Sequence, residues 1–280
     1  MAQAAEAVGL DSVWVGDHLL YRYPDAPPRG PWEAWSMLAA LAAVTRRVEI
    51  GPLVACLNFH NPAVLAKVAA TVDDISGGRL ILGVGAGWNQ TEFDAFGVPF
   101  DHRVSRFEEA FAIVRGLLSD GRVDFQGTYF SAPDCELRPP PSRPGGPPLM
   151  VGSMGERMLA ITLPHVAAWN AWYEWFGNTV QGYRPIRDAV DAACRAAGRN
   201  PAEVARTVAL LVAFTGATGR KSGDVTEEDP DPIQGSPGAV AAALRSFAAE
   251  GVSHVQLVLD PITVESIEAL QPVLAELDAT

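Results

Sequence analysis

Two adjacent residues, Asp17 and His18, stand just behind a short apolar run, Val13-Trp14-Val15. A carboxylate beside an imidazole, which titrates near neutral pH, can hold or pass a proton. A solvent-exposed turn accounts for Gly16-Asp17-His18 equally well, so the pair needs support from elsewhere. A second stretch is Gly83-Val84-Gly85-Ala86-Gly87-Trp88-Asn89. Alternate glycines allow another group to approach the backbone closely, or allow a tight turn, and packing between strands is the plainer explanation. The stretch misses the dinucleotide fingerprint G-x-G-x-x-G because Trp88 stands at its last glycine, and no acidic residue ends a strand about 20 positions later. A third stretch, Val151-Gly152-Ser153-Met154-Gly155, passes from a strand into a helix. Such a junction offers N–H groups to an anion such as phosphate, although a simple cap by Ser153 explains it too.

Other chemistries find no residues to carry them. The histidines (His18, His60, His102, His165 and His254) are dispersed, and only His18 and His60 fall at expected strand ends. A binuclear metal site needs more clustered ligands, and no phosphate-binding G-x-x-x-x-G-K-[ST] loop, H-E-x-x-H pair or G-x-S-x-G elbow occurs. Trp14, Trp88, Trp169, Trp172 and Trp175 lie in or just beyond expected strands. They could wall a flat ring system, or simply fill a core.

The elements that must position these residues alternate along the chain. Strands are expected at 13–15, 48–55, 79–84, 149–151, 165–169, 207–214 and 254–259. Helices are expected at 32–44, 62–74, 104–119, 156–163, 178–197, 237–250 and 264–277. Residues 120–148 interrupt the pattern with a hairpin-like stretch and a proline-rich segment, read as a surface insertion. Residues 216–235, rich in Gly, Ser, Asp and Pro, read as a mobile loop. Strands apolar on both faces alternating with helices mean a helix-covered parallel sheet. About seven such units without a composition break favour a single closed barrel domain over 1–280, with its chemistry at the C-terminal strand ends.

The chain has 280 residues, with 33 acidic against 21 basic side chains and a net charge of −12. That balance argues against nucleic acid as a partner, because phosphate contacts need clustered cations. Three isolated cysteines suit a reducing compartment. No apolar run approaches the ~20 residues that span a bilayer, and the first residues lack a signal-peptide pattern. The expectation is a soluble, cytoplasmic protein without membrane contact.

The segments Val13-Trp14-Val15-Gly16-Asp17-His18, 62–67, 73–82, 83–89, Glu92-Phe93 and 95–100 together resemble the luciferase-like monooxygenase superfamily. The similarity is closest to its branch dependent on the deazaflavin coenzyme F420. It implies an α/β fold, a (β/α)8 TIM barrel of the bacterial luciferase-like type lacking the first strand at its N-terminus. The implied activity is an F420-dependent oxidoreductase passing a hydride between the deazaflavin and a small organic substrate. The alternatives are an FMN-dependent monooxygenase served by a separate flavin reductase, or a flavin-binding barrel without catalysis. A homodimer is implied as well.

Carried over by residue, His18 becomes the proton donor or substrate-orienting group, with Asp17 fixing its orientation. Leu53, Val54 and Ala55 match a strand end where the family often has a non-prolyl cis peptide against the cofactor ring. Gly85, Gly87, Trp88 and Asn89 match the loop along the cofactor. Met150, Val151, Gly152 and Ser153 match the segment binding its ribityl chain and phosphate. The chain departs from the family at Ala55 and Cys56, where small polar residues are frequent, and at Ser153, where a glycine is frequent. Gly87-Trp88 occupies the place of a glutamate found in the sugar-phosphate dehydrogenases, which counts against that activity. The missing first strand predicts that an upstream extension encoding one would raise both stability and cofactor affinity.

Overall fold

The computed structural model describes residues 1–23, 27–214, 218–219 and 230–279. Helix α1 (Ala2–Val8) and strand β1 (Ser12–Val15) open the chain, and packing then divides it into two units. The first unit is Trp14–Met150, and the second is Met1–Val13 with Val151–Thr280.

In the first unit, α2 (Ala34–Val44) precedes β2 (Glu49–Pro52), β3 (Ala55–Cys56) and α3 (Pro62–Ser76). The expected start of α2 at 32 moves because the Glu33 carboxylate accepts from Trp35 N and Ser36 N (2.9 and 2.7 Å), capping the helix there. α3 is framed as its sequence dictates. Asn61 Oδ1 accepts from Ala63 N and Val64 N at 3.1 Å, Pro62 takes the first turn, and left-handed Gly77 ends the helix. The strand expected at 48–55 divides into β2 and β3. Pro52 has no N–H to continue a ladder, and Leu53 N turns to Val15 O at 2.8 Å. The Leu53–Val54 peptide between them is cis, as the resemblance implied.

β4 (Leu82–Gly85) pairs with β3 in parallel, Ala55 opposite Val84 and Cys56 opposite Gly85. A short α4 (Gln90–Phe96), absent from the expectation, follows the glycine loop, and then α5 (Arg103–Asp120). The hairpin-like stretch is a true antiparallel pair, β5 (Arg122–Gln126) and β6 (Ser131–Glu136). Glu109 of α5 accepts from the N–H groups of Thr128, Tyr129 and Phe130 at its turn. Those bonds outweigh burial and hold the Glu109 carboxyl below the usual range. The proline-rich segment is fastened to the end of α3 by Arg143–Asp73 (2.9 Å) and Ser142–Asp74 (2.5 Å).

β7 (Leu149–Val151) runs from the first unit into the second, where α6 (Glu156–Thr162) and β8 (Ala168–Ala171) follow, the strand starting three residues later than expected. Next come α7 (Val180–Ala196), β9 (Ala205–Ala213), α8 (Pro237–Ala248) and β10 (Val252–Asp260). β8, β9 and β10 are parallel neighbours, with Asn170 opposite Thr207 and Val208 opposite Val255. Asn170 Nδ2 donates to Thr207 Oγ1 and Gln256 Oε1, both at 2.8 Å, which links the three strands through buried polar side chains. The single helix expected at 264–277 is two, α9 (Val264–Glu268) and α10 (Gln271–Asp278), the second opening on Pro272. Of the loop read as mobile, 216–217 and 220–229 lie outside the described residues. Its later part is anchored, Ile233 N donating to Leu211 O and Ala213 N to Ile233 O.

Candidate active site

Within the first unit, three strand ends bring carboxylates and imidazoles together. Asp17 and His18 follow β1, His60 closes the 3-10 turn Leu57–Phe59 behind β3, and Glu92 lies in the first turn of α4 behind β4. The neighbours Asp17 and His18 go to different partners. Asp17 Oδ2 accepts from Cys56 N at 2.9 Å and lies 3.1 Å from His60 Nε2. His18 Nδ1 lies 2.8 Å from Glu92 Oε1. The imidazole of His18 is therefore held by Glu92 and not, as the sequence reading had it, by Asp17. The Asp17 carboxylate is already committed to the end of β3.

Glu92 is fully buried. Its Oε1 also accepts from Asn89 Nδ2 (2.8 Å), and its Oε2 from Leu19 N (2.5 Å) and Leu20 N (3.3 Å). Burial alone would raise the carboxyl. The bond from His18, the charge of that ring and the two backbone N–H groups overcome it and hold Glu92 below the usual carboxylate range. An ionised carboxylate only accepts, so Nδ1 of His18 donates and Nε2 is left as the nitrogen that can act. Nε2 has no hydrogen-bond partner among the described residues, and the ring is partly exposed at 19%. Tyr21 flanks it at 4.8 Å between centroids, and Trp88 stands edge-on at 5.8 Å.

The glycine loop is shaped by packing at two points. A Cβ on Gly83 would lie 2.3 Å from Pro52 O and 2.9 Å from Val54 Cγ1. One on Gly87, at φ +76, would lie 2.6 Å from Cys56 Sγ and 2.7 Å from Phe93 Cζ. Arg103 Nη1 donates to Gly87 O (2.6 Å) and Asn58 Nδ2 to Ala86 O (2.8 Å). In a trans peptide C=O and N–H point oppositely, so the N–H groups of Gly87 and Trp88 face away from those donors. Neither is hydrogen-bonded among the described residues. Cys56 is no nucleophile: burial, then the charge of Asp17, push its thiol up.

The remaining expected residues are placed as follows. Leu53, Val54, Ala55, Gly85, Gly87, Trp88, Asn89 and Met150 belong to the first unit, where Met150 Cε would meet a Gly83 Cβ at 3.2 Å. Val151, Gly152 and Ser153 belong to the second. There Ser153 Oγ accepts from Gly155 N at 3.3 Å and its carbonyl accepts from Trp169 Nε1 at 2.8 Å, while Gly155 takes the cap position of α6. Among the aromatic candidates Trp169 is fully buried core, whereas Trp88 is 61% exposed.

Sequence reasoning gave no role to Glu92 or His60. The signal for Glu92 was Asn89-x-x-Glu92 at a helix start, a capping-box spacing. Here the glutamate reaches past the cap to the β1 loop.

Imidazoles anchored by carboxylates at strand ends can hold and pass protons, an arrangement suited to acid–base chemistry on an α/β scaffold. The chain belongs to the luciferase-like monooxygenase family, whose profile matches residues 1–218. It is 32% identical over 269 residues to the phthiodiolone/phenolphthiodiolone dimycocerosates ketoreductase of Mycobacterium kansasii, covering 90% of this chain and 71% of that protein. It is 39% identical over 148 residues to the F420-dependent glucose-6-phosphate dehydrogenase of Amycolatopsis mediterranei, covering 51% of this chain and 44% of that one. Its fold is similar to that of an F420-dependent secondary alcohol dehydrogenase in complex with an F420-acetone adduct. There the TM-score is 0.79 at 22% identity, over 99% of this chain and 93% of the other. The fold is that of the luciferase-like barrels, and the protein is an oxidoreductase or monooxygenase of that family.

Proposed function

We propose that this protein is an F420-dependent oxidoreductase that passes a hydride between the deazaflavin and a ketone or secondary alcohol. The observation that carries this reading is His18, gripped through Nδ1 by buried Glu92, its Nε2 without a partner among the described residues and its ring 5.8 Å from that of exposed Trp88. The F420 relatives and the ketoreductase named above support the carrier and the substrate class.

The donor set fits a flat, carbonyl-bearing ring. Trp88 offers a face, the N–H groups of Gly87 and Trp88 are unsatisfied, and Asp17 Oδ1 takes no bond from the described residues. F420 when bound would supply or accept the electron pair as hydride. The protein's part is to orient the substrate and to move a proton. His18 Nε2 takes it from a hydroxyl during oxidation and returns it to the oxygen during reduction, with Glu92 stabilising the imidazolium.

Titrating apo-protein with F420 and with FMN, following tryptophan fluorescence, tests the carrier. Tighter binding of F420 is expected. A tenfold preference for FMN, about 1.4 kcal/mol, would turn the reading to an FMN monooxygenase with a separate reductase. F420 binding with no turnover of ketones or alcohols would leave a flavin-binding barrel.

The reading includes a homodimer in the cytoplasm without nucleic-acid partners. Exposed Met37 and Val44 on α2 support the first, unpaired Cys56, Cys135 and Cys194 the second, and the acidic charge the third. Among the described residues no helix is long and apolar enough to cross a membrane.

A further inference from the structure

Hydride transfer leaves two protons to be placed. Oxidising an alcohol breaks its C–H bond, the electron pair leaving with the hydrogen, and releases the hydroxyl proton as the C=O forms. The carrier that accepted the hydride has gained one negative charge and takes up one proton. His18 accounts for the hydroxyl proton, and the carrier's proton needs a donor of its own.

We propose that His60, held by Asp17, is that second proton-exchanging group and faces the same bound carrier as His18. The inference rests on the hydride-transfer reading. The two pairs branch from consecutive residues, Asp17 and His18, so both stand behind β1 at the end of the strands where barrel chemistry lies. Asp17 is built as an anchor, its side chain 2% exposed and its Oδ2 shared between Cys56 N (2.9 Å) and His60 Nε2 (3.1 Å). A carboxylate accepts, so Nε2 of His60 carries its proton and Nδ1 is the exchanging nitrogen.

Nδ1 has no partner among the described residues, while the ring keeps 23% of its surface. Phe59 lies edge-on to it at 6.5 Å. The ionisable groups around it are Asp17 across the hydrogen bond, Glu33, whose carboxylate feels the His60 charge, and the Cys56 thiol behind Asp17. As imidazolium, His60 would give the proton on Nδ1 to the reduced carrier, become neutral, and recover a proton from solvent at the same nitrogen. In the reverse direction it takes one.

Two measurements test this without relying on turnover. In protein labelled with 15N-histidine, long-range 1H–15N correlations at alkaline pH should show neutral His60 with its proton on Nε2. An Nδ1–H tautomer in the unmodified protein would overturn the proposal. In Asp17→Asn the preference should relax to a mixture.

The second measurement maps diethyl pyrocarbonate modification by mass spectrometry, without cofactor, with saturating oxidised F420 and, separately, with saturating FMN. His18 and His60 should both be slowed about tenfold, a protection worth about 1.4 kcal/mol. Exposed His102, 63% accessible, should react unchanged as an internal control. Protection of His18 alone overturns the role of His60 and leaves the hydride-transfer reading standing. Protection of neither residue, by F420 or by FMN, brings down that reading and this proposal with it.

Discussion

Glu92 is wholly buried, yet its two oxygens collect donors from His18, Asn89, Leu19 and Leu20. The arrangement fixes the tautomer of His18, so replacing it should disturb chemistry before it disturbs folding. Glu92→Gln keeps the shape but removes the charge, and turnover should fall by about 10²–10⁴, while F420 affinity measured by fluorescence stays within a few-fold. His18→Ala should show a loss of the same order. A His18→Ala protein with normal turnover would make the imidazole structural. Glu92 also predicts a pH dependence. Its folded-state value is depressed, so its contribution to stability is fully present above the ordinary carboxyl value of 4.5 and is lost as pH falls through the depressed one. Urea unfolding should therefore show wild type ahead of Glu92→Gln by about 1–3 kcal/mol at neutral pH, the gap closing in acid below about pH 4. A gap of the same size in strong acid would contradict the assignment.

At the scale of elements, the site depends on how β3, β4 and the glycine loop approach one another. Gly87 combines left-handed φ with a neighbourhood that has no room for a methyl group. Gly87→Ala should cost about 2–4 kcal/mol in unfolding midpoints converted through the denaturant slope, because backbone strain and overpacking act together. A cost below half a kilocalorie would mean that Cys56 and Phe93 can move aside. Helix α3 offers a local counterpart. Asn61→Ala removes a cap that serves two N–H groups and should cost about 1 kcal/mol without altering cofactor binding. Where capping chemistry is local, as at Asn61, Pro62 and Gly77, the helix could be read directly from sequence. The ladder break between β2 and β3 and the existence of α4 depended on which distant groups the backbone met.

Over the whole molecule, specific binding should appear as stabilisation. With F420 at about 100 times its dissociation constant, mass action adds about 2.7 kcal/mol to the native state. For a chain of this size that raises the thermal midpoint by about 5–10 °C. A shift with FMN and none with F420 in differential scanning fluorimetry would move the assignment to the flavin. The net charge of −12 bears on partners and not on this effect, because the site's own charges are paired locally.

The sequence by itself determined the alternation of parallel strands and covering helices, the hairpin at 122–136, and the place of Asp17, His18 and Trp88 behind strand ends. Those features follow from periodicity, turn chemistry and short-range spacing, which are properties of neighbouring residues. Only the tertiary structure decided which carboxylate serves which imidazole. Asp17 and His18 are adjacent in the chain, and adjacency suggested a pair. In the fold they reach different neighbours: His60 behind β3 for Asp17, and Glu92, 74 positions along, for His18. That choice is made by the packing of three strand ends, and no local pattern encodes it.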